Sequence, residues 1–314
     1  MSKKIIIFAI KNLYQMPDYE KVSVAMATYN GERYLAEQLD SILCQTIRNI
    51  EVVVCDDCST DSTWDILLDY AARDSRVIAF RNEHNIGSKK TFEQAVSHCN
   101  GELICLSDQD DVWFPDHIEM LMEHLTDGVQ IVCGRPLFVD EKLNTLPKEY
   151  DYFRMRHVPQ SDMDAARHIL LCMNTYQGAS MLVRRSFFKY ANPIPEQVLY
   201  HDAWYAALAC FTGGITYVDK HDLYYRRLST SLTGGFMARS PLRDFICHIV
   251  YSRMLFDRLH FVTAIRERAN PMLTDEQKAM LAQIEKMLRR RNTLWGRIRN
   301  IPYMIRHFRS IYCC

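Results

Sequence analysis

The 314-residue chain has no surplus of either charge: 38 Lys plus Arg stand against 38 Asp plus Glu. A dedicated nucleic-acid binder carries a basic excess, so no nucleic-acid partner is expected. No Pro- or Gly-rich linker and no internal repeat interrupts the sequence, which argues against tethered modules and solenoids. No run approaches the ~20 apolar residues that span a bilayer. The opening apolar run, Ile5 to Ile10, is too short for a secretory signal, so a cytoplasmic protein is expected. The 11 cysteines are odd in number and scattered from Cys44 to Cys314, which fits free thiols in a reducing compartment and not a disulfide framework. Nor does a G-x-G-x-x-G loop follow the first strand-like segment. Thr28-Tyr29-Asn30-Gly31 stands there instead, which disfavours a dinucleotide-binding oxidoreductase.

What is present reads as a folded protein, with 48% apolar and 24% charged residues. The length suits one large domain plus an appendage. The balanced charge hides an asymmetry. From Leu281 onward Lys286, Arg289, Arg290, Arg291, Arg297, Arg299, Arg306 and Arg309 face Glu285 alone, so a body of net charge −7 carries a tail of +7.

Periodicity alternates between strand and helix through about residue 125. Strands are expected at Lys21–Ala27, Glu51–Cys55, Arg76–Phe80 and Glu102–Ser107, and helices at Glu32–Gln45, after Asp61-Ser62, at Lys89–Cys99 and at Asp116–Leu125. Such alternation implies βαβ units and a mostly parallel α/β sheet flanked by helices. Polar clusters follow the strand ends, where open α/β sheets bind ligands. The second half is less regular, with strands expected at Gln130–Cys133, Ser180–Val183 and Gly214–Val218 and a helix at Asp202–Ala209. From Pro241 the pattern is helical. The expected division is an N-terminal segment at 1–19, a domain at 20–238 and a basic helical extension at 239–314.

Asp108-Gln109-Asp110-Asp111 ends the fourth strand. Three carboxylates in four residues repel one another unless something positive sits between them. Either a solvated acidic turn or a site for a hard divalent cation accounts for the run, and a second diacid, Asp56-Asp57, after another strand favours the cation, Mn²⁺ or Mg²⁺.

Val22-Ser23-Val24 with Thr28-Tyr29-Asn30, then Val54-Cys55-Asp56-Asp57-Cys58-Ser59-Thr60-Asp61, then Asn85-Ile86-Gly87, then Asp108-Gln109-Asp110-Asp111 resemble glycosyltransferase family 2 in order and spacing. The resemblance covers roughly residues 20–235 and implies the GT-A fold, a nucleotide-sugar donor and metal-dependent, inverting sugar transfer. It implies that Thr28 and Tyr29 lie along the nucleotide with backbone groups meeting the base. Asp57, with Asp56, would accept from the base, Asp108 would approach the ribose, Asp110 would hold the metal, and Asp111 would support it or contact the sugar. Tyr200-His201-Asp202-Ala203-Trp204 stands where the family places its catalytic acidic motif, so Asp202 is assigned as general base; by itself it would equally cap a helix. Gly178, in Gln177-Gly178-Ala179-Ser180-Met181, resembles the acceptor-lining segment, and Trp204 either stacks on a sugar or fills the core.

Within the family the Asp108–Asp111 variant and the His201-Asp202-x-Trp204 pattern are most similar to bacterial rhamnosyltransferase-like members, which implies a dTDP-rhamnose donor; dTDP-, UDP- and GDP-sugars all remain in view. One departure stands out. Tyr225-Arg226-Arg227-Leu228 resembles a segment in which the family often has a metal-binding histidine at the place of Leu228, so either His221 or water would substitute or the metal would be held more weakly. Arg226 and Arg227 either meet the diphosphate or are surface charges, and Ser229–Gly235 could close over the donor. Cys55-x-x-Cys58 lacks the second pair a zinc site needs and the context of a redox motif. The basic tail, interleaved with Trp295, Ile298, Ile305 and others, either rests on an anionic membrane surface or packs on the domain with a solvated basic face. The acceptor expected is a surface polysaccharide such as O-antigen or capsule, or a lipid-linked glycan. The rivals are a polyprenyl-phosphate glycosyl synthase and a non-catalytic nucleotide-sugar-binding protein.

Overall fold

The computed structural model describes residues 21–147, 155, 158–228, 256–290, 294–308 and 311. The N-terminal segment, Ser229–Gly235 and the boundary at 238/239 lie outside them.

The first half follows the sequence pattern closely. Strands β1 (Val22–Thr28), β2 (Ile50–Asp56), β3 (Val77–Arg81) and β4 (Leu103–Ser107) alternate with helices α1 (Leu35–Leu43), α2 (Thr63–Arg73) and α3 (Ser88–Ser97). β1 pairs in parallel with β2 and β4, and β2 with β3. Every residue of β2 is buried, as parallel strands covered on both faces require. Alternate side chains feed two apolar layers: Val22, Val24, Val52 and Val54 pack with Leu35, Leu39 and Leu67, while Ala25, Val53 and Cys55 pack with Phe92 and Val96.

The second half turns the sheet mixed. After β5 (Val112–Trp113) and α4 (His117–Glu123) come β6 (Ile131–Val139), α5 (Asp162–Leu171), β7 (Met181–Arg184), α6 (Arg185–Ala191), α7 (His201–Thr212) and β8 (Ile215–Arg226). The strand order is β3-β2-β1-β4-β7-β6-β8-β5, with β7 antiparallel to both neighbours and β8 parallel to β6. β6 and β8 run well past the expected Gln130–Cys133 and Gly214–Val218. The continuation of β6 passes through Gly134, Arg135 and Pro136, the last without an N–H and at a register shift, and that of β8 through the polar run Asp219 to Asp222, so neither continuation reads as a strand locally. α5 and α6 were not expected at all. β8 matters most for the site: Leu223 and Tyr224 pair with Trp113 and Val112, so its end is held beside the Asp108–Asp111 turn.

Three further helices, α8 (Phe256–Ala269), α9 (Asp275–Arg290) and α10 (Leu294–Arg306), complete the described chain. Val262, Ile265, Leu281 and Ile284 are buried in the same apolar cluster as Trp204 and Leu208 of α7. Among the described residues no helix is long and apolar enough to cross a membrane.

Candidate active site

The parallel register sets Thr28 beside Asp56 and Met26 beside Ser107, so the polar turns after β1, β2 and β4 emerge side by side. The first two are zipped together. Asn30, in the left-handed region at φ 49°, donates its N–H to Ser59 Oγ at 2.9 Å and accepts from Thr60 N at 2.8 Å. Asp56 is fully buried and saturated. It accepts from Thr28 Oγ1 at 3.1 Å, Ser59 Oγ at 2.5 Å, Ser59 N at 3.0 Å and Arg81 Nε at 3.0 Å. It therefore offers no lone pair to a nucleobase, which corrects its assignment as a base acceptor. Asp57 accepts from Asn82 Nδ2 at 3.0 Å and from the N–H groups of Ile86 and Gly87, both at 2.8 Å. The second and third motifs are thus one unit: the carboxylate anchors the Asn85-Ile86-Gly87 turn and keeps one acceptor position.

Gln109 joins the fourth motif to the first. Its Nε2 donates to Tyr29 O at 3.0 Å and its Oε1 accepts from Tyr29 N at 2.9 Å. The backbone groups expected to meet a base are already engaged by this carboxamide, and the Tyr29 ring, 46% exposed, is what faces outward. Gly31 permits the approach, since a Cβ there would stand 2.3 Å from Gln109 Oε1.

The acidic turn is organised by Arg226. This side chain is 2% exposed, so it is not a surface charge. Its backbone N–H donates to Asp111 Oδ1 at 3.2 Å, its guanidinium donates to Asp110 O at 2.9 Å and pairs with Glu37, and it lies 4.6 Å from the centre of the Tyr34 ring. So engaged, Arg226 braces the turn from below and is not available to a diphosphate, which corrects that expectation. Arg227 N donates to Val139 O at 2.9 Å. Asp111 is fully buried, with Oδ2 unpartnered, whereas Asp108 and Asp110 are half-buried. Burial first, and then the neighbouring Asp110 and Asp202 charges, push Asp108 up to about 7. Burial also raises Asp110, and burial with Asp110 and Asp108 raises Asp111 well above the carboxylate range.

Asp202 enters from the first turn of α7, far away in sequence. Burial pushes it up to about 6, against hydrogen bonds from the Ala203 N–H, the Asn174 side chain and the Gly178 backbone. A Cβ on Gly178 would lie 3.0 Å from His201 Nε2 and 3.4 Å from Asp202 Cβ, so glycine lets this segment press against the α7 terminus. Gln177 Nε2 donates to Asp108 Oδ2 at 3.3 Å and ties the two halves together. Asn174 escaped sequence reasoning because an isolated amide carries no local pattern, and Gln177, read there only as part of the acceptor-lining segment, gains its tie to Asp108 from the fold. Burial lowers His201 to about 4, so it is neutral at pH 7.

Trp204 is fully buried, donates Nε1–H to Ala191 O at 2.8 Å and lies under Arg268. It is a core residue and presents no face to a sugar. The aromatic side chain that is exposed next to Asp202 is Tyr200. His221 sits mid-strand on β8, with Nε2 2.8 Å from Arg135 and Nδ1 3.2 Å from Pro136 O, so it does not replace the missing metal-binding histidine. Cys55 is buried, and its thiol is pushed up to about 12 by burial and by Asp57 and Asp56; it is neither a redox nor a zinc group.

Among the described residues no three His, Cys, Asp or Glu side chains converge as a ready-made metal cage. The donor set instead fits a cation that takes one or two carboxylates from the protein and completes its shell with substrate phosphates. Asp108 and Asp110 are the half-buried carboxylates of that turn, and burial is the main cause of the raised proton affinity of both, opposed at Asp110 by the Arg226 charge.

Residues 23–190 match the family model described as Glycosyl transferase family 2. EpsE of Bacillus subtilis, a glycosyltransferase by name, is 43% identical over 124 residues, 38% of this chain and 45% of EpsE. The UDP-Glc:alpha-D-GlcNAc-diphosphoundecaprenol beta-1,3-glucosyltransferase WfaP of Escherichia coli is 38% identical over 94 residues, 30% of this chain and 37% of WfaP. In both relatives the match spans less than half of their length. Among solved structures, S. aureus TarS in complex with UDP superposes with a TM-score of 0.54 at 22% identity, covering 90% of this chain and 75% of TarS 1-349. The mannosyltransferase PcManGT from Pyrobaculum calidifontis, solved with GDP-Man and Mn²⁺, gives 0.54 at 18% identity over 96% of this chain and 82% of its own. At these identities the likeness shows the shared fold, GT-A.

Proposed function

The chain belongs to glycosyl transferase family 2, and we propose that it moves a sugar from a nucleoside-diphosphate donor to a glycan acceptor by one in-line, inverting displacement. One observation carries this reading: Asp108 at the end of β4 lies close enough to Asp202 at the start of α7 for their charges to interact, with Gln177 donating to Asp108 and the backbone of the next residue, Gly178, to Asp202. Carboxylates that recruit a cation on one side and a carboxylate tuned as a base on the other are what the two ends of such a displacement require.

The donor lies over the turns after β1 and β2, with the Tyr29 ring and the remaining acceptor position of Asp57 nearest the nucleotide. Asp110, with Asp108, would hold a divalent cation, which would supply positive charge to the departing diphosphate. Asp111 and Arg226 fix the shape of the turn. Asp202, in its half-buried position, accepts the proton of the incoming hydroxyl as that oxygen attacks the anomeric carbon. Neutral His201 packs on Phe92 with ring centres 4.3 Å apart and adds no competing charge. Tyr200 offers an aromatic face to the acceptor.

The names of the relatives print UDP-Glc and a diphosphoundecaprenol-linked acceptor for WfaP, and the solved neighbours carry UDP and GDP-Man. They favour UDP- or GDP-sugars and support a lipid-linked or surface-polysaccharide acceptor, with contact to the inner membrane face through the basic C-terminal helices. dTDP-rhamnose, implied by the motif pattern, stays as one arm of the test.

The test is nucleotide release from UDP-, GDP- and dTDP-sugars with Mn²⁺, Mg²⁺ or EDTA, alongside Asp110→Ala and Asp202→Ala. Cation-dependent turnover of one donor, lost in Asp110→Ala and slowed in Asp202→Ala, is the expected result. Full turnover in Asp202→Ala would favour a lipid-phosphate acceptor that needs no protein base. Absence of any donor-induced shift in melting temperature would overturn the nucleotide-sugar reading.

A further inference from the structure

The last two helices carry a surface that packing among the described residues does not account for. α10 buries Asn300 and Met304 toward the protein, with Asn300 Nδ2 donating to Met287 O of α9 at 2.9 Å. Its apolar needs are met on that side. Yet its outer face shows Trp295 (74% exposed), Ile298, Pro302 and Ile305 (61% exposed). Steps of three, four and three residues put these four on one stripe.

Basic side chains flank the stripe. Arg299 and Arg306 follow Ile298 and Ile305 on α10, and Lys286, Arg289 and Arg290 are exposed at the end of α9. Lys286, Arg290 and Arg299 line a cleft of about 390 Å³ between the two helices. From Leu281 to Phe308 the sole acidic residue is Glu285, which is buried and paired with Arg266 at 3.1 Å. The described exposed charges contributed by residues 281–308 are therefore all cationic, beside an apolar stripe.

We propose that this face docks on an anionic lipid bilayer. Trp295, Ile298 and Ile305 enter the interface, and the cleft lined by Lys286, Arg290 and Arg299 receives a lipid phosphate. Charge complementarity selects the occupant. A second copy of the chain would bring like-charged rims together, whereas an anionic leaflet neutralises them. Tryptophan on an apolar stripe with cations at its edge is the pattern of a helix lying in the plane of an interface. α8, which shares an apolar cluster with α9, reaches the acceptor side. Arg268, at the end of α8, donates to the carbonyls of Tyr190 at 2.6 Å and Pro193 at 2.8 Å, in the segment leading to Tyr200 and Asp202. This inference rests on the reading of a membrane-borne acceptor and specifies which face meets the membrane.

The experiment is flotation of the full chain with phosphatidylglycerol-containing vesicles and with pure phosphatidylcholine vesicles, without donor or acceptor. Binding is expected to the anionic vesicles only and to weaken with salt. Each basic residue near such a surface contributes about fivefold in partitioning, so Lys286→Gln/Arg299→Gln is expected to lose on the order of thirtyfold. Trp295→Ser/Ile305→Ser is expected to lose binding independently of charge, and a vesicle-induced blue shift in fluorescence should vanish in Trp295→Phe. Equal binding to neutral vesicles, no binding, or variants that float like the wild type would overturn the proposal. So would a concentration-dependent dimer abolished by Trp295→Ser, which assigns the stripe to a second copy. Donor turnover and melting temperature, measured on the same samples, separate the two readings: loss of flotation with turnover intact removes only the docking surface, and the converse removes only the transferase assignment.

Discussion

Asp202 shows how burial sets a residue's chemistry. Its pKa of about 6 arises from burial, which outweighs the hydrogen bonds from Ala203, Asn174 and Gly178. A general base must be ionised before it can act, so turnover is expected to rise through about pH 6 and level off above it. Asp202→Asn should lower kcat by about 10²- to 10⁴-fold and leave donor affinity unchanged, as stopped-assay kinetics beside donor titration would report. Arg226 makes a complementary case. Its partners are the backbone of Asp110, the Asp111 carboxylate and the half-exposed Glu37. Arg226→Met should cost about 1 to 3 kcal/mol in urea unfolding, because it strands the Asp110 carbonyl while the backbone bond to Asp111 remains.

Elements matter here through where their ends arrive. β4, β5 and β8 converge so that the acidic turn is held between a strand that precedes it and one more than a hundred residues later. The start of α7 meets the Gln177–Ser180 turn with no room for a side chain at Gly178. Gly178→Ala should therefore displace the His201-Asp202 terminus by a few tenths of an ångström. The expected outcome is a loss in kcat disproportionate to the change in melting temperature, since a small misplacement of a base costs rate before it costs stability. Equal losses in both would mean that the turn is simply a packing element.

At the scale of the molecule, two properties stand out. α8 and α9 share one apolar cluster with α7, so thermal unfolding is expected as a single transition that includes the C-terminal helices. The acidic seam also couples stability to pH. Asp108, Asp110, Asp111 and Asp202 all have raised folded-state pKa values, so the folded protein binds more protons than the unfolded chain. The stabilising contributions of Asp202 and Asp108 are complete below about pH 4 and are lost as pH rises through about 6 and about 7, and those of Asp110 and Asp111 are lost as pH rises through their own raised folded values. In EDTA, melting temperature measured across that window should fall on this account. Mn²⁺ or Mg²⁺ should raise it more at pH 8 than at pH 5, and Asp110→Asn should abolish the gain.

The alternating first half and the positions of its polar turns are legible in the residue order alone. Those signals are local: a run of β-branched residues, a helical spacing and a turn each declare themselves within a dozen residues. Asp56, Trp204 and Arg226 were readable as residues but not as roles. Asp56 is occupied by Thr28 and Arg81, Trp204 by Ala191 and the C-terminal helices, and Arg226 by a turn 116 residues upstream. Only the tertiary structure decided these, because a side chain's function depends on which of its hydrogen-bonding and apolar surfaces the rest of the chain has already claimed. The meeting of Asp202 with Asp108 belongs to the same class. It depends on β7 lying antiparallel between β4 and β6 and on α7 starting against Gly178, long-range arrangements that no local period encodes.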